Sequence, residues 1–126
     1  MGPNDDVVIP RGSKHSDWEV ELGVVIGKPC KYVSVEEALG YVAGYCVIND
    51  VSERNFQMNL TGQWTKGKSC DTFAPLGPVL TTADEIPDPG DLAVRSWRND
   101  EPMQDSRTSN LVFSVPFLVA FCSQAF

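Results

Sequence analysis

The sequence predicts a mainly β or α+β domain in which strands dominate and short helices interrupt them irregularly. Two apolar segments, residues 18–26 and VAGYCVIND at 42–50, have strand length and end at Gly, Pro or Asn. Asn99-Asp100 divides LAVRSWRNDEPMQDSRT into the two arms of a hairpin. Helical signals are confined to short stretches that do not alternate regularly with strands, which argues against a doubly wound parallel sheet.

In chain order, residues 1–16 read as loop plus a short strand, Val7-Val8-Ile9. The strand at 18–26 is closed by Gly27 and Pro29. Its run Gly23-Val24-Val25-Ile26 is apolar on both faces, as in a central strand. Ser34-Val35-Glu36-Glu37 has the form of a capping box, Ser34 as N-cap and Glu37 at N3, and should open a short helix to about Tyr41. A buried strand then leads to Asn49-Asp50, and SERNFQ reads as a helical turn capped by Ser52. TGQWTKGKSCDTFAPLGP, dense in Gly, Thr, Ser and Pro, should be mainly loop. VLTTADEI gives a further short strand. The final SVPFLVAFCSQAF should form a short helix capped by Ser114, with Pro116 in its first turn.

At 126 residues the chain is expected to be a single domain. Its 17 Asp and Glu against 10 Lys and Arg give a net charge of −7, with no basic stripe, which argues against nucleic acid and for a cationic partner such as a metal ion. No apolar stretch reaches the roughly 18 residues of a membrane span. The start, Met-Gly-Pro-Asn-Asp-Asp, has no basic and apolar leader, so a cytoplasmic location is expected. Cys30, Cys46, Cys70 and Cys122 are far apart and form no CxxC pair, which suggests reduced thiols. Asn59-Leu60-Thr61 matches a glycosylation sequon by chance in such a context.

DWEVELGVVIG, from residue 17, alternates Asp17, Glu19 and Glu21 with Trp18, Val20 and Leu22. Residues two apart on a strand share a face about 6.5–7 Å apart, so Glu19 and Glu21 can bend toward one point. Two readings stand. One is a half-solvated strand with an acidic outer face. In the other, Asp50 at the end of the second strand joins the two glutamates, and a hard divalent cation relieves their repulsion. Lys68 is similarly open: it is either a solvated loop side chain or an ammonium beside the carboxylates, where neighbouring glycine lets backbone approach a ligand. Lys66 is the less favoured twin.

DWEVELGVVIGK, GYCVINDVSERNFQ, QWTKGKSCDTFAPLGP, TADEIPDP and LVFSVPFLVAFCSQ occur in an order and spacing that resemble the fumarylacetoacetate hydrolase family, over nearly the whole chain from Asp17. The QWTKGK segment looks most like the branch of ureidoglycolate lyases and 2,4-diketo-3-deoxy sugar acid hydrolases. The resemblance implies a fumarylacetoacetate hydrolase-like mixed β-sheet roll with short helices. It implies a Mg²⁺ site (Mn²⁺ or Ca²⁺ in its place) with Glu19, Glu21 and Asp50 as ligands, and a supporting role for Asp17. Arg54 and Gln57 would contact substrate or bound water, and Lys68 would stabilise negative charge on the substrate. The implied activity is metal-dependent hydrolysis of a carbon–carbon bond in a small 2-keto acid, an acylpyruvate or diketo sugar acid. Ureidoglycolate lyase or hydroxymuconate-type isomerase or decarboxylase activity is the alternative.

Two departures follow from the same resemblance. Family members carry a PGDVIxTGTPxG segment that binds substrate carboxylate, and this chain stops at Phe126 before it. They also carry a His–Glu pair on a lid, whereas His15, the one histidine, precedes the metal strand. The chain is therefore expected to be an incomplete catalytic domain, residues 1–126, truncated at the C-terminus. A homodimer or higher oligomer is expected, because an open sheet edge invites pairing. The competing reading from a different class is a catalytically inactive fragment serving as an assembly module.

Overall fold

The computed structural model describes Met1–Phe126, and strands with a few short helices make up its regular structure. The strands are β1 (Ser16–Asp17), β2 (Val20–Ile26), β3 (Val42–Asn49), β4 (Ser52–Glu53), β5 (Thr81–Thr82), β6 (Ala93–Arg98) and β7 (Glu101–Arg107). They form small open sheets of order β1-β4, β2-β3-β5 and β6-β7. The helical elements are α1 (Thr65–Lys68), α2 (Val115–Cys122), a π-helical turn at Phe56–Leu60 before α1, and short 3-10 turns. No helix is long and apolar enough to cross a membrane. The four cysteines are free thiols.

The backbone divides into two compact units, Met1–Gly23 with Val47–Val79, and Val24–Cys46 with Leu80–Phe126. β2 is half-buried with Glu21 and Ile26 exposed, and it ends the order β2-β3-β5. This differs from the central strand that the apolar run suggests. The run reports only that both faces are apolar, and an edge position leaves them partly open.

In the first unit, β1 runs antiparallel to β4 with Ser16 opposite Glu53 and Asp17 opposite Ser52. The Asp50 amide donates to the Glu19 carbonyl at 2.8 Å, and the Glu19 amide to Asn49 Oδ1 at 3.1 Å. These bonds bring the start of β2 against the end of β3. Val51 and Phe73 supply apolar core, alongside buried Ser52, Glu53 and Gln57. The strand expected at Val7-Val8-Ile9 does not form. The Val8 amide and carbonyl instead pair with the single Thr72 hydroxyl, at 2.7 and 3.4 Å, and one side chain cannot extend a ladder.

The expected loop at 61–78 contains α1, so Lys68 lies on a helical turn. Gly67 makes this possible by close approach. A Cβ there would stand 2.5 Å from Gln57 Cβ and 2.7 Å from the Gln57 amide nitrogen. The glycine therefore admits another stretch of backbone, where the sequence suggests approach to a ligand. Gly67→Ala is expected to cost roughly 1–3 kcal/mol, the usual penalty for overpacking, because the opposing atoms include main chain. Urea unfolding of the variant against wild type measures it.

In the second unit, β3 pairs antiparallel with β5, Gly44 opposite Thr82 and Tyr45 opposite Thr81. The strand expected over 79–86 shrinks to these two threonines because the chain turns at once, the Glu85 amide closing on the Thr82 carbonyl at 3.0 Å. β6 and β7 form the expected hairpin, and Asn99 and Asp100 both have positive φ (48° and 68°), as a tight primed turn requires. The Ser34 hydroxyl accepts from the Glu37 amide at 3.3 Å and donates to the Glu37 carboxylate at 3.1 Å, but only a 3-10 turn at Ala38–Tyr41 follows. α2 begins as expected, with the Phe117 amide on Ser114 Oγ and Pro116 in the first turn. It buries Val115, Val119 and Ala120, while Phe113, Phe117 and Phe121 stack along a more open face.

Candidate metal centre

Glu19 immediately precedes β2, Glu21 is its second residue and Asp50 follows β3, so the hydrogen bonds that join these strand ends also gather the three acids. One carboxylate oxygen from each lies within 4.8 Å of the others. Oxygens on opposite sides of a bound ion are separated by about 4.2 Å for Mg²⁺ and about 4.8 Å for Ca²⁺, twice the metal–oxygen bond length. Three carboxylates gathered within that span are a donor set of the kind a hard divalent cation takes.

The Lys68 ammonium bonds both Glu19 Oε2, at 2.5 Å, and Asp50 Oδ2. Arg54 places Nη1 2.5 Å from Glu19 Oε1 and 3.1 Å from Gln57 Oε1. Its Nε and Nη2 both donate to Asp17 Oδ2, at 2.9 and 2.7 Å. Gln57 is buried, and the charged groups of Asp17, Glu19, Asp50, Arg54 and Lys68 are half-buried. Lys66, on the same short helix as Lys68, is exposed.

Electrostatics separate the two glutamates. Burial alone would raise the Glu19 carboxyl, but the hydrogen bonds and charges of Lys68 and Arg54 outweigh it and hold it below the usual range. Partial desolvation, together with the charges of Asp50 and Glu19, pushes Glu21 above that range. Desolvation opposes the Lys68 and Arg54 charges, but their carboxylate partners prevail and raise both. Four carboxylates, Asp17 included, face two cations and leave two negative charges, the charge a divalent ion would neutralise.

The structure therefore brings Glu19, Glu21, Asp50, Arg54, Gln57 and Lys68 together. His15 is exposed; its backbone amide donates to Glu53 Oε1, and its carbonyl accepts from the Arg54 amide. Ser52 does not cap the helical turn: it belongs to β4, and its hydroxyl donates to the Asp50 carbonyl at 2.9 Å. Glu53 takes that place, with Oε2 accepting from the Phe56 amide at 2.6 Å. Its other oxygen accepts from the Lys14 and His15 amides and the Ser13 hydroxyl. Sequence reading misses Glu53, because an acid in a polar helical turn looks solvated. The one available signal is its place three residues before Phe56, the spacing of an N-cap.

The chain is thus a strand-rich domain of small open sheets with a cluster of three carboxylates where β2 begins and β3 ends. The model of the C-terminal domain of fumarylacetoacetate (FAA) hydrolase matches residues 1–126, and the chain belongs to this family. It is 55% identical over 122 residues to a protein of Burkholderia multivorans named as a hydrolase. It is 52% identical over 123 residues to 2,4-didehydro-3-deoxy-L-rhamnonate hydrolase of Sphingomonas sp. (strain SKA58), covering 98% of this chain and 43% of that one. Among solved structures, 5-carboxymethyl-2-hydroxymuconate delta-isomerase from Mycobacterium smegmatis superposes with a TM-score of 0.92 at 39% identity, covering 99% of this chain and 48% of that one. Maleylpyruvate hydrolase from Sphingobium sp. SYK-6, in complex with manganese(II) and pyruvate, superposes with a TM-score of 0.86 at 36% identity, covering 99% and 45%. The chain thus spans less than half the length of each of these four relatives.

Proposed function

We propose that this chain carries the metal-binding and charge-stabilising part of an enzyme that hydrolyses a carbon–carbon bond in a small 2-keto acid. The observation that carries the reading is the convergence of Glu19, Glu21 and Asp50 beside Lys68 with two negative charges in excess. These three side chains would hold Mg²⁺, or Mn²⁺ or Ca²⁺ in its place. When bound, the ion supplies Lewis-acid polarisation of a substrate carbonyl. The Lys68 ammonium, held by two carboxylates, is charged at neutral pH and stabilises an oxygen on which negative charge develops. Arg54 and Gln57 line the same site and orient an anionic substrate. The likeness to a maleylpyruvate hydrolase solved with manganese and pyruvate supports both the metal and the keto-acid class. The homodimer expected from the resemblance belongs to the same proposal.

Isomerisation of a hydroxymuconate-type acid is the second reading, favoured by the isomerase of similar structure. It uses the same carboxylates and the same lysine. A panel of acylpyruvates, oxaloacetate, ureidoglycolate and hydroxymuconate-type acids separates the two by product.

Removing one carboxylate lowers both ligand count and charge, so Glu21→Ala is expected to weaken Mg²⁺ or Mn²⁺ binding by at least about tenfold, the loss that follows even from deleting an outer partner of a ligand. Glu21 is exposed and makes no ion pair, so the fold should persist by circular dichroism. Titration calorimetry giving equal affinities for variant and wild type would remove Glu21 from the ligand set.

A further inference from the structure

We infer that Asp17 is a positioning residue of the acidic site, acting through the Arg54 guanidinium on the Glu19 carboxylate and the Gln57 side chain. The inference rests on the reading of Glu19 as a cation ligand and assigns Asp17 a specific task. Asp17 is itself fixed: its backbone pairs with Ser52 across β1 and β4, and its Oδ1 accepts the Trp18 amide at 3.0 Å. Oδ2 takes two donors from one edge of the guanidinium, Nε at 2.9 Å and Nη2 at 2.7 Å. A planar fork held along that edge has one direction left for Nη1, and it meets Glu19 Oε1 and Gln57 Oε1.

The arrangement has two consequences. It fixes the rotamer of Glu19, whose other oxygen lies on Lys68. It also shares the Arg54 charge between two carboxylates, so Glu19 keeps more of its own negative charge for a cation. Without the Asp17 charge, the guanidinium is free to swing into a two-pronged grip on Glu19 and draw that ligand away.

The test reads Arg54 directly and Mn²⁺ binding separately. In ¹⁵N-arginine-labelled protein, the Arg54 Nε–H signal is identified by its loss in Arg54→Lys. It should be protected from exchange in wild type and lose that protection in Asp17→Asn. Titration calorimetry with Mn²⁺ should give an affinity about 10–100-fold lower in Asp17→Asn, the cost typical of losing an outer partner of a metal ligand. Arg54→Lys, which keeps the charge but not the fork, should lose a comparable factor. Adding Asp17→Asn to Arg54→Lys should cost less than about twofold more, because residues acting through one another are not additive. A merely structural aspartate would cost the same in both backgrounds. That result, or an unchanged Arg54 signal in Asp17→Asn, overturns the inference. If Asp17→Asn does not fold, Arg54→Lys with wild-type affinity overturns it equally. If wild type itself binds no Mn²⁺, the cation-site reading falls, and the Arg54 signal still decides whether Asp17 positions the guanidinium.

Discussion

Replacing Lys68 by alanine is expected to lower kcat by about 10²–10³, the usual cost of losing one preorganised donor at a developing oxyanion, while Mg²⁺ affinity does not fall. The ammonium lies between Glu19 and Asp50 and is kept charged by them. Cleavage beside a keto group builds negative charge on an oxygen, and a fixed ammonium gains most where that charge is greatest. Lys68→Arg should be nearly as damaging. The position leaves no slack: Gly67 packs against the Gln57 backbone, and the two carboxylates already claim the ammonium, so a larger planar fork places its charge elsewhere. Lys66→Ala should be close to neutral, since Lys66 is exposed on the same helical turn. Steady-state kinetics of the three variants in the active enzyme, with saturating Mg²⁺ and a keto-acid substrate, decide it. Full activity in Lys68→Arg, or equal losses at Lys66 and Lys68, would show that the wrong lysine has been assigned.

The parts of this site that are legible in the sequence depend on local periodicity. Glu19 and Glu21 share a strand face because strand side chains alternate, and their ability to converge follows from that alternation alone. The Asn99-Asp100 hairpin and the Ser114 cap are equally local, since each needs only the residues beside it. What escapes a reading of the sequence is set by distant partners. Val7-Val8-Ile9 is apolar enough for a strand, yet Val8 pairs with one hydroxyl 64 residues away. α1 is too short to carry a helical period, and it places Lys68 only because Gly67 lets its backbone meet Gln57. β2 reads as central and lies at an edge, because hydropathy reports what a strand could bury and neighbours decide what it does bury. The π-helical turn at Phe56–Leu60 has no sequence signal beyond helicity, although such turns are frequent at functional sites.

Glu53→Ala is expected to be among the most destabilising single changes in the chain. The carboxylate is fully buried (0% exposed), and it takes the amides of Lys14, His15 and Phe56 and the Ser13 hydroxyl. Truncation leaves the three backbone donors without that acceptor, while the Ser13 hydroxyl keeps Ser16 Oγ at 2.8 Å. Each unsatisfied buried group costs about 1–3 kcal/mol, so a total of roughly 3 kcal/mol or more follows even if water rescues some. The damage reaches the proposed site, because the same carboxylate ties residues 13–15 to the turn that carries Arg54 and Gln57. Glu53→Gln keeps the shape but turns an NH₂ toward backbone N–H groups, so it too should be less stable at neutral pH. Its pH dependence identifies the cause. Burial alone would raise the Glu53 carboxyl, but the bonds from Phe56, His15, Lys14 and Ser13 outweigh it and hold the folded value below the ordinary 4.5. The unfolded chain therefore binds this proton more readily than the folded one. The stabilisation is fully present above pH 4.5 and is lost as pH falls through the depressed folded value. Glutamine has no such proton, so the stability gap between wild type and Glu53→Gln should narrow as the pH drops below 4.5, while the other carboxylates titrate in both proteins and cancel. Urea unfolding at a series of pH values from neutral downward measures the gap. A gap that stays constant across that range would mean that shape, and not the anionic charge, accounts for the role of Glu53.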